Sequence, residues 1–259
     1  MSITIKTPED IAVMREGGKI LAEILDELEK VAQVGNTSLD IDDRAMELME
    51  QFGVEPLILG YHAHFAPRPY PAATCVSIND VLVHGIPNEE PIPIEDGDVV
   101  SIDTVIAYKG LVVDSARTVG VGNIAPEVKQ LIHVTKEALE VGIKAAQAGK
   151  PVNDIGRAIE KFVPRQYGLV DAFCGHGVGY DLHEEPTVAN FAIEGDSPVL
   201  KPGMVLAIEP MITLGSKEVE VLEDGYTAVT ADGSLCAHVE HTVVITEDGP
   251  QVLTRGKNG

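Results

Sequence analysis

Five residues of this 259-residue chain could together bind divalent metal ions: Asp103, Asp114, His176, Glu209 and Glu240. Three of the acids lie inside apolar stretches, where an ionised carboxylate is rarely buried unless it is paired or binds a metal. Four carboxylates and one imidazole suit hard-to-borderline divalent ions. Two dications would balance the four negative charges, so the residue types indicate a buried dinuclear site.

The histidines divide by their context. His176 lies among three glycines in the segment Cys-Gly-His-Gly-Val-Gly, where close backbone approach is permitted, and it is the predicted nitrogen ligand. His84 and His183 each precede a nearby proline and are left to act on a substrate, although a capped turn or a structural hydrogen bond would also explain them. No chemistry is assigned to the remaining histidines: His62, His64, His133, His238 and His241.

Asp103 and Asp114 flank a predicted turn near Lys109-Gly110. In one register of the hairpin the two carboxylates face each other directly. In a register shifted by one residue, Asp114 pairs with Val105 and Asp103 is its diagonal neighbour. Side chains alternate along a strand, so both registers place the carboxylates on one face. The alternative interpretation is an ordinary hairpin with one buried and one exposed aspartate.

The elements that position these residues are predicted twice along the chain. In the first half, a helix from Pro8 ends at Gly35, and a second runs from Thr37 or Ser38 to about Phe52. In the second half, a helix from Pro126 ends at Gly149, and a second spans Val152 to about Tyr167. Alternating β-branched stretches follow each helix pair, which predicts an α+β fold.

Matching letters in the same order suggest an internal duplication. Gly97 stands six residues before Asp103, and Gly203 stands six before Glu209. We therefore predict one domain over 1–259, made of pseudo-symmetric halves at about 5–120 and 125–253. In this arrangement Glu209 and Glu240 form the equivalent carboxylate pair and face the first pair across a pseudo-two-fold axis.

Composition limits the partners and the compartment. The formal net charge of −22 argues against nucleic acid and anionic membranes as partners and is typical of a solubilising surface. Three cysteines without a CxxC motif fit a reduced cytosol. No signal core or membrane span is evident. We expect a soluble cytoplasmic protein, monomeric by default.

At this point the chain resembles the type I methionine aminopeptidases from about Ile5 to Leu253. Each matching motif is weak alone, but their common order is specific. The resemblance implies the pita-bread fold, with a central antiparallel sheet flanked by helices. The motifs are CVSIN (75–79), VHGIP (83–87), GDVVSID (97–103), GHGVG (175–179), HEEP (183–186), IEP (208–210) and VEHT (239–242).

The resemblance also implies residue roles. Asp114 and Glu240 would bridge two ions of Co, Mn, Fe or Zn, while Asp103 completes one ion and His176 with Glu209 completes the other. Two such ions activate a water for peptide hydrolysis. Glu209 would shuttle the proton. His183 would contact the carbonyl oxygen, and His84 would orient the scissile nitrogen and is a candidate proton donor.

The implied substrate is the N-terminal methionine of nascent chains, with a small second residue preferred and the ribosome a candidate partner. The resemblance places these residues around the methionine side chain: Cys75, Tyr70, Tyr61, Leu182 and Tyr226. A buried small hydrophobe is the simpler explanation of Cys75.

Two departures from the family concern this pocket. Residues 63–69 form a longer link than is usual between Tyr61 and Tyr70, and they are placed near the pocket entrance. Leu182 and Tyr226 stand where phenylalanine and tryptophan are common. Both departures concern the shape of the pocket and not the reaction.

Two alternatives remain. A proline-specific pita-bread peptidase shares the metal ligands but usually carries a large domain before the catalytic half, for which the early position of Asp103 leaves no space. A catalytically inactive pita-bread protein that binds proteins or peptides would be expected to lose ligands, whereas all five are present.

Overall fold

The computed structural model describes residues 3–63 and 66–256, in which two helices precede a run of strands twice. The predicted α+β class is thus confirmed. The helices are α1 (Pro8–Val31), α2 (Ser38–Phe52), α3 (Pro126–Ala145) and α4 (Asn153–Phe162). The strands are β1 (Glu55–Pro56), β2 (Cys75–Ile78), β3 (Val81–Val83), β4 (Val99–Tyr108), β5 (Leu111–Gly120), β6 (Gly168–Leu169), β7 (Gly175–Gly177), β8 (Glu184–Val188), β9 (Val205–Ile208), β10 (Met211–Thr213), β11 (Val219–Val221), β12 (Ala228–Thr230), β13 (Cys236–His238), β14 (His241–Thr246) and β15 (Gly249–Val252).

Both helices of the first half begin with a capping box. The hydroxyls of Thr7 and Thr37 accept hydrogen bonds from the backbone N–H groups of Asp10 and Asp40, whose carboxylates accept bonds from the threonine N–H groups in return. These bonds satisfy donors that the start of a helix leaves unpaired. The structure therefore chooses Thr37, and not Ser38, as the cap of α2.

The long helices α1 and α3 end earlier than predicted. They stop at Val31 and Ala145, four residues before Gly35 and Gly149. The alanine after each helix has a ψ of 74° or 63°, which is incompatible with a further helical turn. The two glycines then adopt positive φ values of 95° and 82° within the following turns.

The segments after α1 and α3 make the same hydrogen bonds in both halves. The N–H of Gly35 donates to the carbonyl of Ile94 at 3.3 Å, and the N–H of Gly149 donates to that of Leu200 at 2.8 Å. Each acceptor lies nine residues before the first carboxylate of its predicted pair. These matched contacts support an internal duplication within one domain, which stays a prediction.

Helix α4 is shorter than predicted, and the expected end near Tyr167 is wrong. It ends at Phe162, and Val163 is extended with ψ of 122°. Pro164 follows, and the residue before a proline avoids the helical region because of steric contact with the proline ring. The helix was predicted to be longer because the apolar pattern of the sequence continues beyond Pro164.

All the strand pairs are antiparallel, and within the described residues they form four hydrogen-bonded sheets. In one sheet β4 pairs with β1, β2 and β5, and a five-stranded sheet has the order β15-β14-β9-β7-β8. The others are β13-β10-β6 and β11-β12-β3. The pairing of β12 with β3 joins the two halves of the chain.

Strand β5 contacts the second half beside the junction of β13 and β14. The N–H of Glu240 donates to the carbonyl of Ala116 at 2.9 Å. The hydroxyl of Thr242 accepts the N–H of Asp114 at 2.9 Å and donates to its carbonyl at 2.7 Å. These bonds fix one acid from each half side by side.

Of the two principal hydrophobic clusters, one is built mainly from the first half of the chain and the other from the second half. One cluster contains α1 and β4 residues such as Leu21 and Ile102, and the other contains α3, α4 and β9 residues such as Leu131, Ile155 and Leu206. None of the helices in 3–63 and 66–256 combines the length and apolar character that a membrane span requires.

Candidate metal centre

Asp103 and Asp114 lie on adjacent strands of the β4–β5 hairpin. Asp114 pairs with Val105, which is the shifted register of the two that were predicted, so Asp103 is its diagonal neighbour. Both turn residues, Lys109 and Gly110, have positive φ values of 51° and 80°, as a two-residue type I′ hairpin loop requires. The turn therefore sets the register that brings the two carboxylates together.

Glu209 and Glu240 lie opposite each other where two ladders are interrupted. Met211 pairs with His238 on one side of the gap, and Ile208 pairs with His241 on the other. The register is the same on both sides, so it places the two glutamates across from each other. Both are buried, with 9% and 2% of their surface exposed. The second carboxylate pair is thus directly opposite, whereas Asp103 and Asp114 are diagonal neighbours, and the duplication stays a prediction.

His176 lies in β7 beside these carboxylates. Its Nε2 atom is 3.7 Å from Oε1 of Glu209 and 3.8 Å from Oδ2 of Asp114. A side chain on the preceding Gly175 would come within 2.2 Å of the carbonyl oxygen of Ala207 in β9. Only glycine permits this close strand contact, which explains why glycine precedes the histidine.

The arrangement fits a divalent metal. Asp114, His176 and Glu240 each offer a ligand atom, and these atoms lie within 4.8 Å of one another. One buried oxygen each of Asp103, Asp114 and Glu240 has no hydrogen-bond partner among the described residues. Unpaired buried carboxylate oxygens are costly, and a cation between them would satisfy them.

The electrostatics lead to the same conclusion. Burial raises the pKa of Asp114 and of Glu240 well above the usual carboxyl range, and repulsion from the neighbouring carboxylates adds to each shift. Burial also raises the pKa of Asp103 to about 6, with Glu209 contributing. A dication reverses this effect because it favours the ionised carboxylates.

His84 and His183 lie near Glu209, and burial favours the neutral form of each ring. His84 follows β3 with a φ of 59°, and burial lowers the pKa of its ring. The rings of His183 and His176 have centroids 4.5 Å apart. Burial of the ring of His183 lowers its pKa to about 4, and His176 adds to the shift. Neutral imidazoles can donate or accept one hydrogen bond at each nitrogen.

Tyr61 contacts His183 directly. Its hydroxyl lies 3.1 Å from Nδ1 of the histidine, and the two rings pack edge to face with centroids 5.7 Å apart. A hydrogen bond at one ring nitrogen fixes the orientation of the other. The structure therefore gives Tyr61 a contact with a predicted substrate-binding histidine in addition to its predicted place in the pocket.

The predicted pocket residues lie together beside Asp103. Cys75 in β2 pairs directly with Asp103 in β4. The rings of Tyr70 and Tyr226 pack edge to face with centroids 5.1 Å apart. Four members of this group are buried in the same large hydrophobic cluster and the fifth, Tyr61, packs against that cluster: Cys75, Tyr70, Leu182, Tyr226 and Tyr61.

The longer link at 63–69 is held closed at its base. The N–H of Tyr70 donates to the carbonyl of Tyr61 at 2.8 Å. The hydroxyl of Tyr226 donates to the carbonyl of Arg68 at 2.6 Å. The two departures from the family pattern are therefore in contact, since Tyr226 binds the backbone of the inserted segment. His64 and Phe65 of this link lie outside the described residues.

His238 is a site residue that the sequence analysis missed. It is 2% exposed, and its Nε2 atom lies 3.5 Å from Oε2 of Glu209. The spacing held the signal, because His238 is two residues before Glu240 and side chains two apart share a strand face. The other histidines of uncertain role lie elsewhere: His62 bonds within the inserted link, and Nδ1 of His241 lies 2.9 Å from the hydroxyl of Thr254.

Comparison with known proteins extends these observations. Residues 12–247 match the model of metallopeptidase family M24. Methionine aminopeptidase 1 of Bacillus subtilis (strain 168) is 42% identical over 254 residues, covering 98% of this chain and 99% of that protein. The methionine aminopeptidase of Escherichia coli (strain K12) is 38% identical, covering all of this chain and 96% of that protein.

Solved structures give the same match. The crystal structure of methionine aminopeptidase from Thermotoga maritima has a TM-score of 0.92 at 42% identity, covering 98% of this chain and all of that one. The Xaa-Pro dipeptidase of Bacillus anthracis shares the fold with a TM-score of 0.73 at 22% identity, and this chain covers 62% of it. These matches confirm the predicted pita-bread fold.

Proposed function

The chain belongs to metallopeptidase family M24, and on that premise we infer that it is a methionine aminopeptidase. It removes the N-terminal methionine from proteins and peptides that carry a small second residue. The observation that supports this most directly is the cluster of buried carboxylates with unpartnered oxygens beside His176. Relatives about 40% identical over the whole chain carry that name, and the two alternatives from the sequence are not favoured.

We propose that the acid cluster and His176 hold two divalent ions. Asp114 is repelled by the buried charge of Asp103, and in turn repels that of Glu240, and its Oδ2 lies 3.8 Å from Nε2 of His176, so it is placed to be shared by both ions. His176 and Glu209 lie together on the other side. When bound, two such ions lower the pKa of a water and polarise a carbonyl. The ligand set accepts Co, Mn, Fe or Zn, and metal analysis of the purified protein distinguishes them.

The remaining site residues act on the substrate. The carboxylate of Glu209 accepts the proton of the attacking water and passes it to the leaving amine. His183 donates a hydrogen bond to the carbonyl oxygen as negative charge develops there. His84, neutral at pH 7 because burial lowers its pKa, orients the scissile nitrogen.

The pocket beside Asp103 accepts the methionine side chain. Cys75 and the edge-to-face pair of Tyr70 and Tyr226 supply a compact wall. Leu182 and Tyr61 complete its lining. Such pockets discriminate by about 1–3 kcal/mol per methylene, so an unbranched thioether is preferred over shorter side chains.

The cellular context is also a proposal. The three cysteines are all free, which suits a reduced cytoplasm. Nascent chains are the expected substrates there, with the ribosome as a candidate partner and a monomer as the expected state. Size-exclusion chromatography with light scattering tests the last point.

Two peptides test the activity. We expect the metal-loaded protein to release methionine from Met-Ala-Ser and to leave Ala-Pro-Gly largely uncut, measured by quantifying the free amino acid at equal peptide concentration. Chelation should abolish the cleavage, and stoichiometric addition of a divalent metal should restore it. Faster cleavage of Ala-Pro-Gly would favour the proline-specific alternative and contradict our proposal.

Tyr61 provides a finer test of the site. Tyr61→Phe removes the hydroxyl 3.1 Å from Nδ1 of His183 and keeps the ring. A neutral hydrogen bond contributes about 0.5–1.5 kcal/mol, so we expect kcat/KM for Met-Ala-Ser to fall about 2- to 10-fold. Tyr180→Phe is the matched control, because the hydroxyl of Tyr180 bonds to Asp10 at 2.7 Å on the exposed side of the same loop. Equal losses in both variants would refute the role of Tyr61.

A further inference from the structure

His238 is rigidly placed with its side chain inside the proposed metal centre. It ends β13 and is 2% exposed. Its N–H donates to the hydroxyl of Thr118 at 3.1 Å, and that hydroxyl also lies 2.5 Å from its carbonyl. The hydroxyl of Ser101 supports Thr118 at 2.8 Å. The hydroxyl of Thr118, in the first half of the chain, therefore binds both the N–H and the carbonyl group of His238.

The ring of His238 points at one oxygen of Glu209. Its Nε2 atom lies 3.5 Å from Oε2 and has no hydrogen-bond partner among the described residues. The other carboxylate oxygen, Oε1, is nearest to His176, at 3.7 Å from its Nε2. The two oxygens of Glu209 thus face two different imidazoles. A separation of 3.5 Å is just beyond a good hydrogen bond, and a small movement of either side chain would form one.

We propose that His238 is a positioning residue that donates its Nε2 proton to Oε2 of Glu209. This bond holds the carboxylate so that Oε1 faces His176 and the ion that the two residues share. Ligating carboxylates are commonly oriented by such outer hydrogen bonds, whose loss weakens metal binding or activity. The inference rests on the proposed function, because it assumes that Glu209 binds an ion and moves the substrate proton.

His238 acts on Glu209 and not as a further ligand of the ions. Its nearest acidic oxygen is the one turned away from His176. An N–H at Nε2 of the imidazole can supply the missing donor to that oxygen.

A pair of amide substitutions tests the proposal. In His238→Gln the amide nitrogen reaches about the position of Nε2, whereas in His238→Asn the shorter side chain keeps an amide but cannot reach Oε2. We expect His238→Asn to lower metal affinity or kcat for Met-Ala-Ser about 10- to 100-fold, with KM little changed. His238→Gln should keep most of both. Metal affinity is measured by calorimetric titration of the metal-free protein, independently of activity.

The controls separate positioning from folding. His241→Gln replaces a half-buried histidine nearby in the chain, whose ring bonds to Thr254, and should leave metal affinity unchanged. Thermal unfolding confirms that each variant is folded. Unchanged metal affinity and kcat in a folded His238→Asn protein would overturn the proposal, as would equal losses in the Gln and Asn variants, which would make His238 a direct ligand. Wild-type protein that binds metal but fails to cleave Met-Ala-Ser would instead refute the proposed function.

Discussion

Replacing Glu240 by glutamine is expected to abolish methionine release and to reduce metal uptake, while the chain stays folded. Glu240 is 2% exposed and has a buried oxygen without a hydrogen-bond partner among the described residues. In the proposed site, bound metals would supply several kcal/mol of transition-state stabilisation, and each 1.36 kcal/mol changes the rate tenfold. We therefore expect kcat/KM for Met-Ala-Ser to fall about 1,000-fold or more, measured together with metal content.

The same substitution should not destabilise the metal-free protein. An ionised Glu240 is destabilising there, because burial and repulsion from the neighbouring carboxylates oppose its charge and raise its pKa well above the usual range. Glutamine removes that charge and keeps the volume, and the backbone bond between Glu240 and Ala116 is retained. Loss of a costly buried charge is neutral or stabilising. Thermal unfolding of both metal-free proteins should show the variant unfolding at the same or a higher temperature.

Asp42→Asn is the matched control for loss of a buried carboxylate. Asp42 is 5% exposed and accepts bonds from the N–H groups of Ala73 and Thr74 at 3.0 and 2.9 Å. The Asp42→Asn protein should be less stable and should still bind metal. The Glu240→Gln protein should show the reverse, with unchanged stability and reduced metal uptake. Full activity in the Glu240→Gln protein would contradict the dinuclear proposal.

Features governed by neighbouring residues could be predicted from the sequence. The capping threonines Thr7 and Thr37 and the turn at Lys109-Gly110 act within a few residues, so the starts of α1 and α2 and the hairpin were found. The register of the hairpin was left open, because either one brings Asp103 to the face of Asp114. The register depends on whether both turn residues, Lys109 and Gly110, adopt positive φ values, and the sequence alone does not determine this for Lys109.

Features governed by distant contacts could not be predicted in the same way. The segment after β10 leaves the site, pairs with β3 of the other half through β12, and returns at β13. This return, together with the pairing of β9 with β14, fixes the register that sets Glu209 opposite Glu240. The pairing of His238 with Met211 also places the histidine near Glu209. Because that pairing joins distant parts of the chain, His238 was overlooked, although its spacing from Glu240 was visible in the sequence. The early end of α4, in contrast, depends on a neighbouring residue, because Pro164 disfavours a helical conformation at Val163.

The largest stability effect is expected at the buried ion pair between Lys6 and Glu184. Their exposed fractions are 3% and 7%, and Nζ lies 2.6 Å from Oε2. The other oxygen of Glu184 accepts the N–H groups of Tyr180 and Asp181 at 2.6 and 3.1 Å. The pair therefore ties the N-terminal segment to the loop that carries His183. Removing one member leaves an uncompensated buried charge.

Lys6→Met should lower the free energy of unfolding by about 3–5 kcal/mol, and Glu184→Gln by a similar amount. The double variant should lose less than the sum, because neither charge is then left unpaired. Urea unfolding measures all three. Lys30→Met is the control, since its pair with Glu27 is exposed and should contribute only about 0–1 kcal/mol. Additive losses in the double variant would show that the two charges do not stabilise each other.

Low pH should also reduce the stability that the ion pair provides. The direction of this pH dependence follows from the pKa of Glu184. Burial alone would raise the pKa of its carboxyl, but the bonds from Lys6, Thr4 and the backbone of Asp181 outweigh burial and hold that pKa below 4.5. The pair's stabilisation is therefore present above pH 4.5 and is lost as the pH falls through the folded-state value. Burial lowers the pKa of Lys6 from 10.5, an opposing effect that appears only in the alkaline range. Below pH 4.5, wild type should lose more stability than Glu184→Gln, and parallel acid curves for the two proteins would show that Glu184 is not ionised in the fold.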